Sequence, residues 1–494
     1  MRVDPLLALR FEAWRIGQAV RAFTHRRIVL QPHALFVTAL QFPGEDNTIL
    51  AAAIGDRSRR APLRILGTPD PRLREEEFET IARFAALLER YYRRCERDGV
   101  APQLVLTSAA SLRHLTNIAD DLRFGERAPT VAAFATALSY FTMRAQVPDQ
   151  QAVVVMTSVL RTHWVAPLEP TQEEHLGALV AAIAPPADLT VASAVLAAEQ
   201  FPMGARTMPV FDRDVLRPAL DQFHTARRRG ASPEELAPKR LAIARVTAPV
   251  VERMYETLHK AADALDRASL AVLPEVPAWM QVEQEAFTDF RRATAAGIRT
   301  PRSDKPKGAA FRYAEREQAD AVVSASVECH DTFGRTCAVM RGSSVEGQVA
   351  DVRQVRVAGQ RNRVTMVDVL TTQAALRVRE GHELVDRSDH QVRYLVRGVR
   401  AEGPSGVTTT RLTLQMTAGM RRVGPPAAGT AVSFVREVPD LDRLGRIRRS
   451  LAQKLAEPHW TLGGPIPPPR APGRAPALPA DLPASPLRAL ETLR

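Results

Sequence analysis

Four stretches in the latter part of the chain decide its architecture: residues 347–357 (GQVADVRQVRV), 361–369 (RNRVTMVDV), 390–400 (HQVRYLVRGVR) and 406–416 (GVTTTRLTLQM). Each alternates apolar with polar residues and is rich in Val and Thr, the period-two pattern of half-buried strands. Within 411–416, Leu412, Leu414 and Met416 fall on one face and Arg411, Thr413 and Gln415 on the other, because successive strand side chains point to opposite sides. Turn residues at Gly359-Gln360 and at Gly403-Pro404-Ser405-Gly406 separate the stretches. Five or six short antiparallel strands over about 100 residues suit a small β-barrel of OB or SH3-like size, spanning 336–440.

Upstream of the barrel the period becomes helical. Ser232-Pro233-Glu234-Glu235 joins a side-chain cap, a first-turn proline and acids at the positive end of the helix dipole. The helix it opens runs to about Leu273, and residues 279–297 and 310–329 continue the pattern as two further helices separated by a basic loop at 299–308. Residues 206–335 therefore read as a stalk of long helices, joined to what precedes them by a proline-bearing junction at 186–210. Residues 1–205 read as an α/β layer. Apolar runs at 33–40 and 48–56, separated by Pro43-Gly44 and Asp46-Asn47, form a hairpin, and 62–68 supplies a third strand. A helix at 75–99 with acids first, arginines last and Gly99 at its stop leads to a strand at 102–108 and a helix at 111–124. The opening 30 residues set Leu6, Leu7, Leu9, Phe11 and Trp14 beside six arginines; they are expected to lay an apolar face on the domain, a membrane-surface helix being the alternative. Downstream of the barrel, 441–462 reads as a basic amphipathic helix and junction. The Pro/Ala-rich stretch 463–494 reads as an extended, disordered tail. The fold class is α+β multidomain, its first layer RNase H-like but degenerate.

Composition narrows the function classes. The 494 residues carry a net charge of +12, and only five lysines accompany 62 arginines. None of Lys239, Lys260, Lys305, Lys307 and Lys454 follows a glycine, so the Gly-Lys-Ser/Thr of a phosphate-cradling P-loop is missing. The chain is thus expected not to hydrolyse ATP alone. No apolar run approaches the length of a membrane span, and 1–14 lacks a secretory apolar core. Cys95, Cys329 and Cys337 have neither disulfide-framework nor zinc spacing. A cytoplasmic protein with no cofactor, no metal and no membrane association is the expectation.

Catalytic patterns are sparse. A two-metal nuclease site needs converging carboxylates, usually starting on the first strand, yet 36–42 (FVTALQF) holds no acid. The nearest acids, Glu45 and Asp46, lie in the turn, and Asp120 and Asp121 on a helix. His114, His163, His175 and His224 share no ligand spacing, and no Gly-x-Ser-x-Gly surrounds Thr107, Ser108 or Ser111. Cys95, at the basic end of its helix, reads as structural.

Arginine on strands is the strongest functional signal. Residues 341–440 carry 15 arginines against 10 acids. Arg353, Arg356, Arg363, Arg393, Arg397 and Arg411 lie in or beside the barrel strands, as do Arg361 and Arg400. An even offset keeps Arg393 and Arg397 on one face. Such a face suits a phosphate backbone read without sequence preference, although Asp351, Asp368 and Asp389 dilute the field. A second cluster, Arg443, Arg446, Arg448, Arg449 and Lys454, lies on a segment with Leu441, Leu444, Ile447 and Leu451 at helical spacing.

Several short motifs complete the reading: Trp164, Pro167, Glu174-His175-Leu176-Gly177-Ala178-Leu179, Pro185-Pro186, Glu285, Asp289-Phe290 and Gly347-Gln348-Val349. Pro458-His459-Trp460-Thr461-Leu462-Gly463-Gly464-Pro465 follows the barrel. With the order of parts, they resemble the non-motor N-terminal portion of bacterial superfamily 1 helicase-like proteins. In that family a RecB-like or RNase H-like region and a barrel precede the P-loop motor. The family's Pro-Trp-Thr-His-Gly-Gly-Pro is altered here, His459 replacing the proline and Leu462 the histidine. The resemblance implies a stalk that positions the barrel over a nucleic-acid strand and a separately encoded P-loop ATPase or helicase as partner, in DNA repair or defence. The expected function is a non-catalytic, DNA- or RNA-binding accessory part. A protein scaffold for such an ATPase and a divergent metal-dependent nuclease remain the alternatives.

Overall fold

The computed structural model describes residues 4–70, 73–123, 129–297, 306–356, 363–402 and 409–440. The expected helix at 441–462, the tail at 463–494, the turn residues 359–360 and 403–406, and most of the loop at 299–308 lie outside them. The chain mixes helix and strand, with a five-stranded sheet in its first part and a closed antiparallel barrel in its second.

Helix α1 (Pro5–Ile16) precedes the sheet. Strands β1 (Leu35–Leu40), β2 (Ala51–Asp56) and β3 (Leu63–Leu66) form an antiparallel meander with Val37 opposite Ile54 and Ala53 opposite Arg64. Helix α2 (Arg74–Asp98) ends at Gly99, whose φ of +66° places it in the left-handed cap that glycine favours. It returns the chain to β4 (Leu104–Leu106), which runs parallel to β1. Helices α3 (Ala109–Arg123) and α4 (Pro129–Arg144) then lead to β5 (Val153–Val155), parallel to β4. The sheet order is β3-β2-β1-β4-β5.

Both faces of this sheet are covered, which is why β1 reads as a continuous apolar run. Leu35, Val37 and Ala39 enter one core with Phe84 and Leu88 of α2, Leu115 of α3 and Phe134 of α4. Phe36 and Leu40 enter the other, against Leu160 of α5 (Met156–His163) and Leu179 of α6 (Leu176–Ile183). The stretch expected as a bare junction holds a helix, α7 (Val191–Glu199), capped by Thr190.

Helices α8 (Arg217–Arg228), α9 (Pro233–Arg267), α10 (Val276–Ala295), α11 (Pro306–His330) and α12 (Thr332–Arg341) follow, α9 opening with the expected Ser232 cap reciprocated by Glu235. The helices are where the sequence placed them, but α9 and α10 are not a free-standing stalk. Val251, Met254, Tyr255, Leu258 and Leu265 recur at helical spacing and close the second core of the sheet. The Tyr255 hydroxyl donates to the Arg59 carbonyl at 2.7 Å, and Thr38 on β1 donates to the Val251 carbonyl at 2.9 Å. Phe287 of α10 stands edge-on to Tyr92 and Tyr140, at ring-centre distances of 5.2 and 5.5 Å. No break in packing falls at residue 205, because the sheet face bearing Phe36 and Leu40 takes its cover from α9.

The expectation for α1 is met only in part. It touches the body through Ala13 and Leu9, near Phe23, Val165 and Phe333. Leu7, Phe11 and Trp14 are left 46%, 66% and 52% exposed.

The barrel comprises β6 (Val345–Val355), β7 (Val364–Thr371), β8 (Glu383–Asp386), β9 (Arg393–Glu402), β10 (Thr409–Ala418) and β11 (Ala431–Val435). Its circuit is β6-β7-β10-β9-β8-β11, with β11 paired back to β6. Val349, Val367, Val369, Tyr394, Val396, Leu412, Leu414, Met416 and Phe434 fill the interior, as the alternation requires. The corner between α11 and α12 connects the two halves. Asp331 caps α12 through the Gly334 amide at 2.9 Å and accepts the Thr24 and His25 amides at 2.7 and 3.0 Å.

Candidate nucleic-acid interface

The barrel arginines do not form one open cationic face. Strand register brings several of them onto carboxylates. Arg353 on β6 reaches across to Asp368 on β7 through two nitrogens, at 2.6 and 3.3 Å, and also holds Asp351 at 2.9 Å. Arg411 on β10 approaches the same Asp368 at 3.5 Å and donates twice to Glu402 on β9, at 2.6 and 3.0 Å. The result is a ladder of alternating charge, Asp351–Arg353–Asp368–Arg411–Glu402, laid across four strands. Asp368 is its buried centre. Burial raises the Asp368 carboxyl, but hydrogen bonds from Arg353 and Thr413 and the charges of Arg353 and Arg411 outweigh that and hold it below the usual carboxylate range. Arg353 and Arg411 are raised in turn, chiefly by hydrogen bonds to Asp368 and to Glu402 respectively.

The remaining expected residues divide. Arg393 pairs with Glu383 at 3.1 Å, and Arg397 donates to the Gln415 side chain at 2.7 Å. Arg356 and Arg363 stand just beyond the last paired rung of the β6–β7 hairpin, Val355 opposite Val364. Both are exposed and, among the described residues, neither has an acid within ion-pair distance. Arg400 shares this property, although β9 places it directly opposite Arg411. The expected post-barrel residues Arg443, Arg446, Arg448 and Arg449 lie outside the described residues.

Sequence reasoning named the barrel arginines but did not pair them. Asp368 is 15 residues from Arg353, and Glu402 is nine from Arg411. Only the cross-strand register brings such residues together. Arg422, which follows β10 and pairs with Asp389 at 3.4 Å, also went unnamed.

Near the central strands of the α/β layer stand hydroxyls and an amide. Thr38 lies on β1 and Gln41 just past it, and Thr107 and Ser108 follow β4; all four are buried. Among the described residues the Ser108 hydroxyl has no hydrogen-bond partner, whereas Thr107 meets Ser111 at 2.8 Å. Asp46 is held by Arg206 at 3.0 Å and by Gln41 at 2.9 Å, and Asp120 by Arg123 at 2.6 Å. Among the described residues no three His, Cys, Asp or Glu side chains converge to hold a metal. His163 is buried with Nδ1 at 2.9 Å from the Phe23 carbonyl, and burial pushes it down to about 4. His175 caps α6, its Nδ1 accepting the Ala178 amide at 3.1 Å. Burial pushes the Cys95 thiol up to about 11, away from the reactive range.

The arrangement offers anion contacts at a few exposed guanidinium groups beside a strip of internally neutralised charge. Among the described residues no helix is long and apolar enough to cross a membrane. Compared with protein-family models, with curated proteins and with solved structures, the chain matches none.

Proposed function

We propose that this protein is a non-catalytic nucleic-acid-binding accessory component whose barrel touches the phosphate backbone of DNA or RNA, while a separately encoded P-loop ATPase does the mechanical work. The observation that carries the reading is the set Arg356, Arg363 and Arg400. These are exposed arginines on two barrel hairpins, without an acid within ion-pair distance among the described residues. An arginine already locked to a carboxylate gives little to a phosphate, whereas an open fork offers paired N–H donors. The ladder around Asp368 thus serves as scaffold, and the binding set is smaller than the sequence alone suggested.

The α/β layer supports the same reading. A meander of three strands followed by two parallel to the first is the layout expected of an RNase H-like layer. With Thr38 within β1 and Gln41, Thr107 and Ser108 just past the ends of β1 and β4, it fits a nuclease-like body kept for its shape. The superfamily 1 resemblance and the missing Gly-Lys-Ser/Thr motif are what suggest the ATPase partner.

The test is fluorescence anisotropy of a labelled 20-nucleotide single strand, as DNA and as RNA, across a salt series. Binding should weaken steeply with salt. The triple change Arg356→Ala, Arg363→Ala, Arg400→Ala should lower the log–log salt slope by about 2, at roughly 0.7 per phosphate contact. Arg393→Ala, which removes a paired arginine, should change it little. Absent or salt-independent binding would sink the proposal.

A further inference from the structure

The apolar residues that α1 leaves in solvent are regularly placed. Leu7, Phe11 and Trp14 lie at i, i+4 and i+7, on one side of a helix about 18 Å long. Beside them runs a groove of about 640 Å³, which Leu7 also lines, with Leu6, Trp164 and Val165 on its apolar part and Arg27, Arg161 and Glu173 on its charged part. An apolar ridge and a groove of mixed character thus lie next to each other on one surface. Large exposed apolar groups so arranged mark an interaction site.

Charge indicates what covers it. One flank of the ridge carries Glu12 and Arg15, paired with each other at 2.5 Å. The other carries Arg10, held at 2.8 Å by Glu173. Among the described residues each flank is locally neutral on a chain of net charge +12, and the groove's Arg27 and Arg161 are paired with Asp149 and with Glu173 and Glu174, so neither flank favours a polyanion or an anionic lipid surface. Each flank also holds one cation and one anion. When two identical helices pack antiparallel about a twofold axis, like flank meets like flank. Glu12 of one copy then faces Arg15 of the other, and the reverse contact repeats it. The surface is complementary to itself.

We infer that α1 is a homodimer contact, the Leu7–Phe11–Trp14 ridge of each copy seating beside the groove of a second copy of this chain. This goes beyond the nucleic-acid reading and does not depend on it.

Sedimentation velocity of the full chain between 1 and about 100 μM tests it, with mass doubling expected within a concentration range typical of modest interfaces. Phe11→Glu with Trp14→Glu, both at exposed positions, should leave a monomer with an unchanged melting temperature. The flanks give a sharper readout. Glu12→Arg alone and Arg15→Glu alone should each weaken dimerisation by about tenfold, through two like-charge contacts in place of two attractive ones. An equimolar mixture of these two variants should recover the wild-type dimer, because the introduced arginine at position 12 of one then faces the introduced glutamate at position 15 of the other. A wild-type monomer throughout the range, a dimer that survives the double glutamate change, or a mixture no tighter than its components would each overturn the inference. A monomer that binds neutral phosphatidylcholine vesicles would overturn it in favour of a lipid surface.

Discussion

Arg400 and Arg411 face each other across the β9–β10 ladder; among the described residues Arg411 lies within ion-pair distance of Asp368 and Glu402, and Arg400 of no acid. Like charges directly opposed on a sheet repel unless one is neutralised. Glu402 and Asp368 neutralise Arg411; the charge of Arg400 also bears on Glu402, but without an ion-pair contact, so its guanidinium stays exposed beside Arg411. The acids on the outer face thus set which arginines are available, and they make the availability adjustable by mutation.

Asp368→Asn tests that link. The amide keeps the side chain's shape but withdraws one of the two carboxylate charges on each of Arg353 and Arg411. Binding and stability should then move in opposite directions. Asp351 still holds Arg353 and Glu402 still holds Arg411, so each guanidinium is freed only in part. Affinity for a single strand should rise at low salt and the salt slope steepen, by less than the roughly 1.4 of two full phosphate contacts. Because both arginines are partly exposed, stability should fall by only about 1 kcal/mol. Anisotropy titrations and urea unfolding of the same preparation read both quantities. A variant that is destabilised but binds no better would show that the ladder has no bearing on binding.

A second expectation concerns acid. Burial, reinforced by the charges of Arg27, Arg26 and Arg21, holds the His163 ring neutral with a pKa of about 4. The unfolded value lies near 6.5. For a base whose folded pKa is depressed, the unfolded state takes up the proton first. Stability is therefore intact above pH 6.5 and falls as pH drops toward 4, by at most about 3 kcal/mol from this residue. His163→Asn places an amide donor where Nδ1 meets the Phe23 carbonyl and does not titrate. Urea midpoints at pH 7.0, 5.5 and 4.5 should decline less steeply in this variant than in the wild type. The buried His114, lowered by the same cause, should keep some slope in both.

The contrast between strands and helices shows what the sequence makes legible. Leu412, Leu414 and Met416 declare their face because a two-residue period needs no partner to be recognised, and the barrel interior follows from it. The short strands β8 and β11 hold too few alternations to stand out, and tertiary pairing alone defines them. In α9, Val251, Met254, Tyr255, Leu258 and Leu265 do recur at helical spacing. Scattered charges hide that stripe, and nothing local says that it meets a sheet two hundred residues earlier. The candidate site follows the same rule. Arginine was legible as composition, whereas the pairing of Arg353 with Asp368 depends on register.

The α9 contact can be tested at its closest point. A Cβ on Gly55 would lie 2.3 Å from the Tyr255 hydroxyl oxygen and 3.1 Å from the carbon that bears it. Gly55→Ala should therefore cost about 1–3 kcal/mol by overpacking. Tyr255→Phe loses the hydrogen bond to the Arg59 carbonyl, worth about 1 kcal/mol, but removes the atom in closest conflict. The double variant should be more stable than the sum of the single effects allows, by roughly 1 kcal/mol, as expected for residues in contact. Strict additivity in thermal unfolding would mean that α9 does not seat on β2 in this way.

Arg144 of α4 and Glu283 of α10 supply the matching test on the opposite face. Their side chains are 12% and 3% exposed and meet through two nitrogens, at 2.5 and 3.0 Å. Glu315 on α11 approaches the same guanidinium at 3.5 Å. Removing one member of a buried pair strands the other charge away from water, whereas replacing both with apolar groups removes the desolvation cost along with the attraction. Glu283→Leu should thus cost up to about 3 kcal/mol, the low end for a broken buried pair because Glu315 still faces Arg144. Arg144→Met with Glu283→Leu should recover only part of that loss, because Glu315 then loses the guanidinium it approaches. Equilibrium urea unfolding of the three proteins decides the matter. If α10 were a detachable stalk helix, Glu283→Leu would shift the midpoint little and the double change would recover nothing. If α10 is part of the α/β body, as its Phe287 among the rings of Tyr92 and Tyr140 requires, the single change is severe and the second restores part of the loss.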